Sequence, residues 1–128
     1  MIWHDGRGDK TKKLVITNSQ FDAKRPTALG RYHHDAQFYL INCQLSANVL
    51  DANIGYAYSD KVLDPCPWGQ LTYYYGCVRE GGNSGWLNDN LDKAPGNPPF
   101  HAITALWTFD GKWNPEQHIR DLWNVLAY

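Results

Sequence analysis

Cysteine is scarce in this chain and forms no framework. Cys43, Cys66 and Cys77 are the only three in 128 residues; they cannot all pair with one another, and none belongs to a Cys-x-x-Cys unit. Long apolar runs are missing as well, so no stretch approaches a membrane span, and the opening Met1-Ile2-Trp3-His4-Asp5-Gly6-Arg7 lacks the apolar core of a secretory leader. Charge of one sign is absent too: twelve Lys and Arg against thirteen Asp and Glu give a net charge of -1. That balance leaves no electrostatic footprint for nucleic acid or an anionic membrane, and neither is expected as a partner. No Ser-centred nucleophile elbow, phosphate-cradling Gly loop or N-glycosylation sequon occurs, which removes the main rival hydrolase and nucleotide readings. No cofactor is expected. His33-His34-Asp35 is a poor start to a metal site, because neighbouring side chains on an extended segment point to opposite faces.

Aromatic residues and an internal repeat are present in their place. Six Trp and eight Tyr supply side chains that pack cores and offer flat faces to ligands. Ile16-Thr17-Asn18-Ser19-Gln20-Phe21 recurs 24 residues later as Leu40-Ile41-Asn42-Cys43-Gln44-Leu45, with a looser copy at Tyr74-Tyr75-Gly76-Cys77-Val78-Arg79. Self-similarity at such a period marks a solenoid, in which each repeat buries its apolar face on its neighbours. The β-branched and aromatic content suits strands, and Asn or Gly before a small Ser or Cys marks a corner, since those types tolerate a left-handed backbone. The expected fold is therefore all-β: part of a right-handed parallel β-helix, about three to four coils, with a C-terminal α-helix.

The chain divides into an exposed stretch at 1–12, coils and loops at 13–113 and a helix at 114–127, all one domain. Strands are expected at Lys13 to Phe21, Ala36 to Leu45, Gly69 to Val78 and His101 to Phe109, with a polar loop at 25–35 and an irregular insertion from Asn48 to Trp68 bounded by Pro65 and Pro67. Trp86 to Leu91 reads as a short helix. Cys43 and Cys77 occupy the same repeat position and read as small inward-facing core residues. The helix at the end is the clearest element: Asn114 caps it, Pro115 fits its first turn, and Ile119, Leu122, Trp123 and Leu126 form one apolar stripe that is expected to pack on the side or end of the stack.

Leu29-Gly30-Arg31-Tyr32-His33, followed by Gln37-Phe38-Tyr39-Leu40-Ile41-Asn42-Cys43, resembles the pectin methylesterases, whose pattern there is Leu-Gly-Arg-Pro-Trp and then a strand ending in Phe-x-Asn-Cys. Later landmarks keep the family's order: Trp68, the aromatic strand into the turn at Tyr75 to Gly82, Trp86, and Phe109-Asp110-Gly111-Lys112-Trp113. The resemblance implies the β-helix and hydrolysis of methyl esters on polygalacturonate, with one Asp as nucleophile, a second as acid and Gln side chains on the oxyanion. Arg31 matches the Arg that holds the nucleophile ionised. Tyr32 and His33 stand where the family has Pro-Trp and, with Trp68, are the expected substrate contacts. The family's two motifs bearing the catalytic Asp pair have no counterpart here. Asp51-Ala52-Asn53-Ile54-Gly55 echoes the nucleophile turn in spacing, which makes Asp51 an alternative nucleophile, and Asp60 and Asp64 stand near it in sequence.

The function expected from this is that of a pectinesterase-like carbohydrate esterase, present as a C-terminal fragment inactive alone. The alternatives are a non-catalytic carbohydrate-binding or interaction module, using Tyr32, Trp68 and Tyr73 to Tyr75 as a platform, and an inert truncated product. The implied partner is pectin or another uronic-acid polysaccharide, and exposed coil ends imply self-association. Members of the family are often extracellular.

Overall fold

The computed structural model describes residues 1–4, 9–32, 36–56 and 71–126. Nine short strands pair in three sheets of three: β1 (Ile2–His4), β4 (Gly30–Tyr32) and β7 (Gly55–Tyr56); β2 (Lys13–Thr17), β5 (Gln37–Ile41) and β8 (Thr72–Tyr75); β3 (Gln20–Phe21), β6 (Gln44–Leu45) and β9 (Val78–Arg79). All pairings are parallel. Leu14 faces Phe38, which faces Thr72, and Gln20 faces Gln44, which faces Val78. The repeat in the sequence is thus the register of two of the sheets.

The corners lie where the sequence placed them. Asn18, Asn42 and Gly76 have φ of 51°, 54° and 64° and separate β2 from β3, β5 from β6 and β8 from β9. At Gly76 the glycine also answers a close approach, for a Cβ there would run into Asn42 Oδ1.

The expected right-handed parallel β-helix is nonetheless corrected. The strands run only two to five residues, the sheets are small and separate, no closed or solenoid sheet forms among the described residues, and two helices follow. The physical reason is the density of breaks: left-handed corners at Asn18, Asn42 and Gly76 interrupt three of the expected strands, leaving the five residues of β2, the five of β5 and the four of β8 before them. The expected strand at His101 to Phe109 is also corrected, being a 3-10 turn at Phe100–Ala102 and helix α1 at Ala105–Thr108. Thr104 starts that helix, its hydroxyl accepting from Trp107 N at 3.2 Å. Trp86 to Leu91 holds turns rather than a helix, with a 3-10 turn at Leu91–Lys93.

The middle sheet is buried on both faces, as an unbroken apolar run such as Gln37-Phe38-Tyr39-Leu40-Ile41 requires. Phe38, Leu40 and Tyr74 pack inward with Leu29, Tyr32, Leu45 and Ile54. Tyr39, Ile41 and Tyr73 face the other way and are covered by Leu91, Ala94, Ile103 and Trp107. Tyr39 meets Tyr73 and Trp107 at ring-centroid distances of 5.0 Å each. Lys13 fastens this cover. Its ammonium, above the Trp107 ring at 4.4 Å, bonds Trp107 O at 3.1 Å and the Asp110 carboxylate at 2.5 Å, and its contact holds the Asp110 carboxyl below the usual value.

The outer edge of β8 is occupied by segment 89–90. Tyr74 N donates to Asn90 Oδ1 at 2.6 Å, Asn90 Nδ2 to Thr72 O at 2.9 Å, Asn90 N to Tyr74 O at 3.0 Å, and Gly76 N to Asp89 Oδ1 at 2.8 Å. Helix α2 (Pro115–Leu126) forms as its cap and stripe predict, with Gln117 N on Asn114 Oδ1 at 3.2 Å. Its stripe does not find the expected packing: Ile119, Leu122, Trp123 and Leu126 are all more than half exposed.

Candidate functional site

Arg31 sits in the middle of β4, between Trp3 of β1 and Gly55 of β7 in direct register. Alternation along these strands of two or three residues sends Ile2 and Tyr32 inward and leaves Trp3, Arg31 and Gly55 on the outer face. Trp3 is 52% exposed. Nothing lies within 4 Å of where a side chain on Gly55 would begin. An indole, a guanidinium and a glycine with open space beyond it thus form one row, with neighbours about 4.8 Å apart as parallel strands impose. The row exists because Leu29-Gly30-Arg31 carries a glycine: a Cβ on Gly30 would meet Ile2 O at 2.8 Å and Ile2 Cβ at 3.0 Å, so only glycine lets β1 close on β4.

The other expected site residues are scattered. Tyr32 is buried, 8% exposed, and belongs to the core with Phe38 and Leu40. His33 and Trp68 lie outside the described residues, as do His34, Asp35, Asp60, Asp64 and Cys66. Of the Tyr73 to Tyr75 platform, Tyr73 and Tyr74 are core residues, and Tyr75 stacks on Phe100 at 4.9 Å and 4° between planes.

Asp51 is exposed, but its oxygens are engaged. It accepts from Ser84 N at 2.9 Å, Ser84 Oγ at 2.5 Å and Trp86 Nε1 at 2.7 Å. These bonds, the Ser84 hydroxyl first and the Trp86 indole next, hold its carboxyl below the usual carboxylate value. A carboxylate whose lone pairs already accept three donors is a weak nucleophile. In this structure it ties the turn at 81–86 to the segment after β6. The one ion pair among the described residues is Lys13 with Asp110, so Arg31 is not paired with a carboxylate there.

A concavity of about 370 Å³ lies along the third sheet, with Gln20, Gln44, Asp22, Ser46, Arg79 and Glu80 among its lining. Gln20 Nε2 donates to Gln44 Oε1 across it at 3.4 Å. No group of three or more His, Cys, Asp or Glu placed to hold a metal ion occurs among the described residues.

Sequence reasoning singled out Arg31 and missed Trp3, which it had placed in an exposed start. The available signal was a second offset: Ile2 pairs with Gly30 at a spacing of 28 residues, near the 24 of the main repeat. Comparison with known protein families, with curated proteins and with solved structures found no match to this chain.

Proposed function

We propose that this chain is a non-catalytic binding module for a uronic-acid polysaccharide of the pectin type. The observation that carries the reading is the exposed row Trp3–Arg31–Gly55. Each member matches one feature of a uronate residue. The indole face suits the C–H face of a pyranose ring, the guanidinium forks onto a carboxylate, and the open space beyond Gly55 admits the bulk of the neighbouring sugar. Ester hydrolysis would need a free carboxylate nucleophile beside Arg31. Asp51 is occupied elsewhere, which favours binding over turnover.

The test is affinity electrophoresis and calorimetry on polygalacturonate, with fully methyl-esterified pectin as the uncharged control. Retention by polygalacturonate, weakened by salt and absent with the esterified polymer, is the expected result. Arg31→Ala is expected to lower affinity about tenfold or more, the usual cost of a lost charge-assisted hydrogen bond, and Arg31→Lys to rescue it poorly. Trp3→Ala weakens binding to both forms of the polymer. Affinity unchanged in Arg31→Ala with unchanged melting would sink the reading. Methanol release from methylated pectin by the wild-type chain, lost in Asp51→Ala, would restore the esterase in its place.

A further inference from the structure

Cys43 and Cys77 are free thiols at one position of neighbouring turns of chain. The pairs Ile41–Tyr75 and Gln44–Val78 flank them in register, and Val78 N donates to Cys43 O at 3.0 Å. Two residues separate the flanking pairs on both strands, so the cysteines stand opposite one another. Adjacent parallel strands lie about 4.8 Å apart, inside the span of roughly 4.4–6.8 Å that Cα pairs of disulfides occupy. Cys43 follows Asn42 and Cys77 follows Gly76, both at positive φ, so the same corner aims both side chains inward. Each sulfur lies against a carbonyl of the preceding turn, Cys43 on Ile16 O at 3.6 Å and Cys77 on Leu40 O at 3.1 Å.

We propose that Cys43 and Cys77 are a redox-closable dithiol whose disulfide locks the second turn of the chain to the third. The two positions differ in access: Cys43 is fully buried, whereas Cys77 is half-buried. That difference assigns the order of events with a small disulfide such as oxidised glutathione. The Cys77 thiolate attacks one glutathione sulfur, forming a mixed disulfide and releasing one glutathione thiolate. Cys43, as thiolate, then attacks the Cys77 sulfur from inside, forming the protein disulfide and releasing the second glutathione thiolate. Two protein thiols are oxidised, one glutathione disulfide is reduced to two thiols, and the protons pass to the departing thiolates. The second step is intramolecular, since the pairs Ile41–Tyr75 and Gln44–Val78 already hold Cys43 opposite Cys77. In the reduced protein, hydrogen bonding with the Cys43 thiol and then burial push the Cys77 thiol up, which makes the first step slow and leaves little mixed disulfide to accumulate.

The experiment exposes the native full chain to a glutathione redox series and follows intact mass, peptide maps after alkylation, and melting temperature. Expected are a loss of about 2 Da, a Cys43–Cys77 linked peptide, scarce glutathione adduct, and a melting temperature raised by about 10 °C for a closed loop of this length. Cys77→Ser, at the half-buried position, is expected to keep its fold and abolish the bridge, and Cys66→Ser to retain it. Both thiols remaining open to alkylation under an oxidising poise would overturn the proposal, as would a bridge that includes Cys66. The wild-type map decides even where a cysteine variant fails to fold.

Discussion

Asp51 illustrates how an acidic residue in a suggestive sequence context can serve the scaffold instead of the chemistry. Its two oxygens gather the backbone and hydroxyl of Ser84 and the indole of Trp86, residues 33 and 35 positions away. Asp51→Asn removes the charge that strengthens all three bonds, so the turn at 81–86 is expected to loosen, with a red shift of Trp86 emission and faster exchange of the Ser84 amide. The pH dependence has a definite sign. Because the folded carboxyl lies below the usual 3.8, its contribution to stability is complete above that value and is lost as pH falls through the lower folded value. Acid titration followed by Trp86 fluorescence is expected to show this tie releasing below 3.8, and the Asp51→Asn variant to lack that transition. A wild-type tie that releases as pH rises through neutrality would contradict the assignment. Gly30 makes the complementary point: its place in Leu-Gly-Arg follows from the closeness of Ile2, a packing reason that holds whatever Arg31 does.

Among the elements, those with a strong local cause or a place in the repeat were legible, and the shortest strands outside it were not. The corners at Asn18, Asn42 and Gly76 were readable because few residue types accept positive φ, and helix α2 because Asn114, Pro115 and the apolar stripe agree with one another. Strands β1, β4 and β7 have two or three residues each, too few to show a period, and owe their existence to pairing partners about two dozen or more residues away. Since Trp3 and Gly55 sit on those strands, most of the candidate site was hidden with them. Helix α1 was misread because Ile103-Thr104-Ala105-Leu106-Trp107-Thr108-Phe109 has strand-like composition, whereas the Thr104 cap and the docking of Trp107 on Tyr39 decide its conformation. Helix α2 has little tertiary support, so its cap should matter more than usual. Asn114→Ala is expected to cost it about 1 kcal/mol, read as fraying of its first turn by amide exchange and as lower helical ellipticity, with the melting of the sheets unchanged. Loss of sheet structure in that variant would mean that α2 is integral to the core.

At the scale of the whole molecule, the three sheets order their strands alike, so among the described residues β1, β2 and β3 each have a strand neighbour on one side only. Their other edges are templates for another chain. Sedimentation across a range of concentrations is expected to show reversible self-association, and a clean monomer at high concentration would count against it. The 89–90 segment decides what form that association takes. Asn90 and Asp89 hold amide and carbonyl groups of β8 and the corner after it, so the middle sheet is open along β2 and blunted along β8. Growth by head-to-tail addition needs two receptive ends, whereas a single one can only be satisfied by its own twin across a twofold axis. Association through the middle sheet is therefore expected to stop at a pair joined along β2.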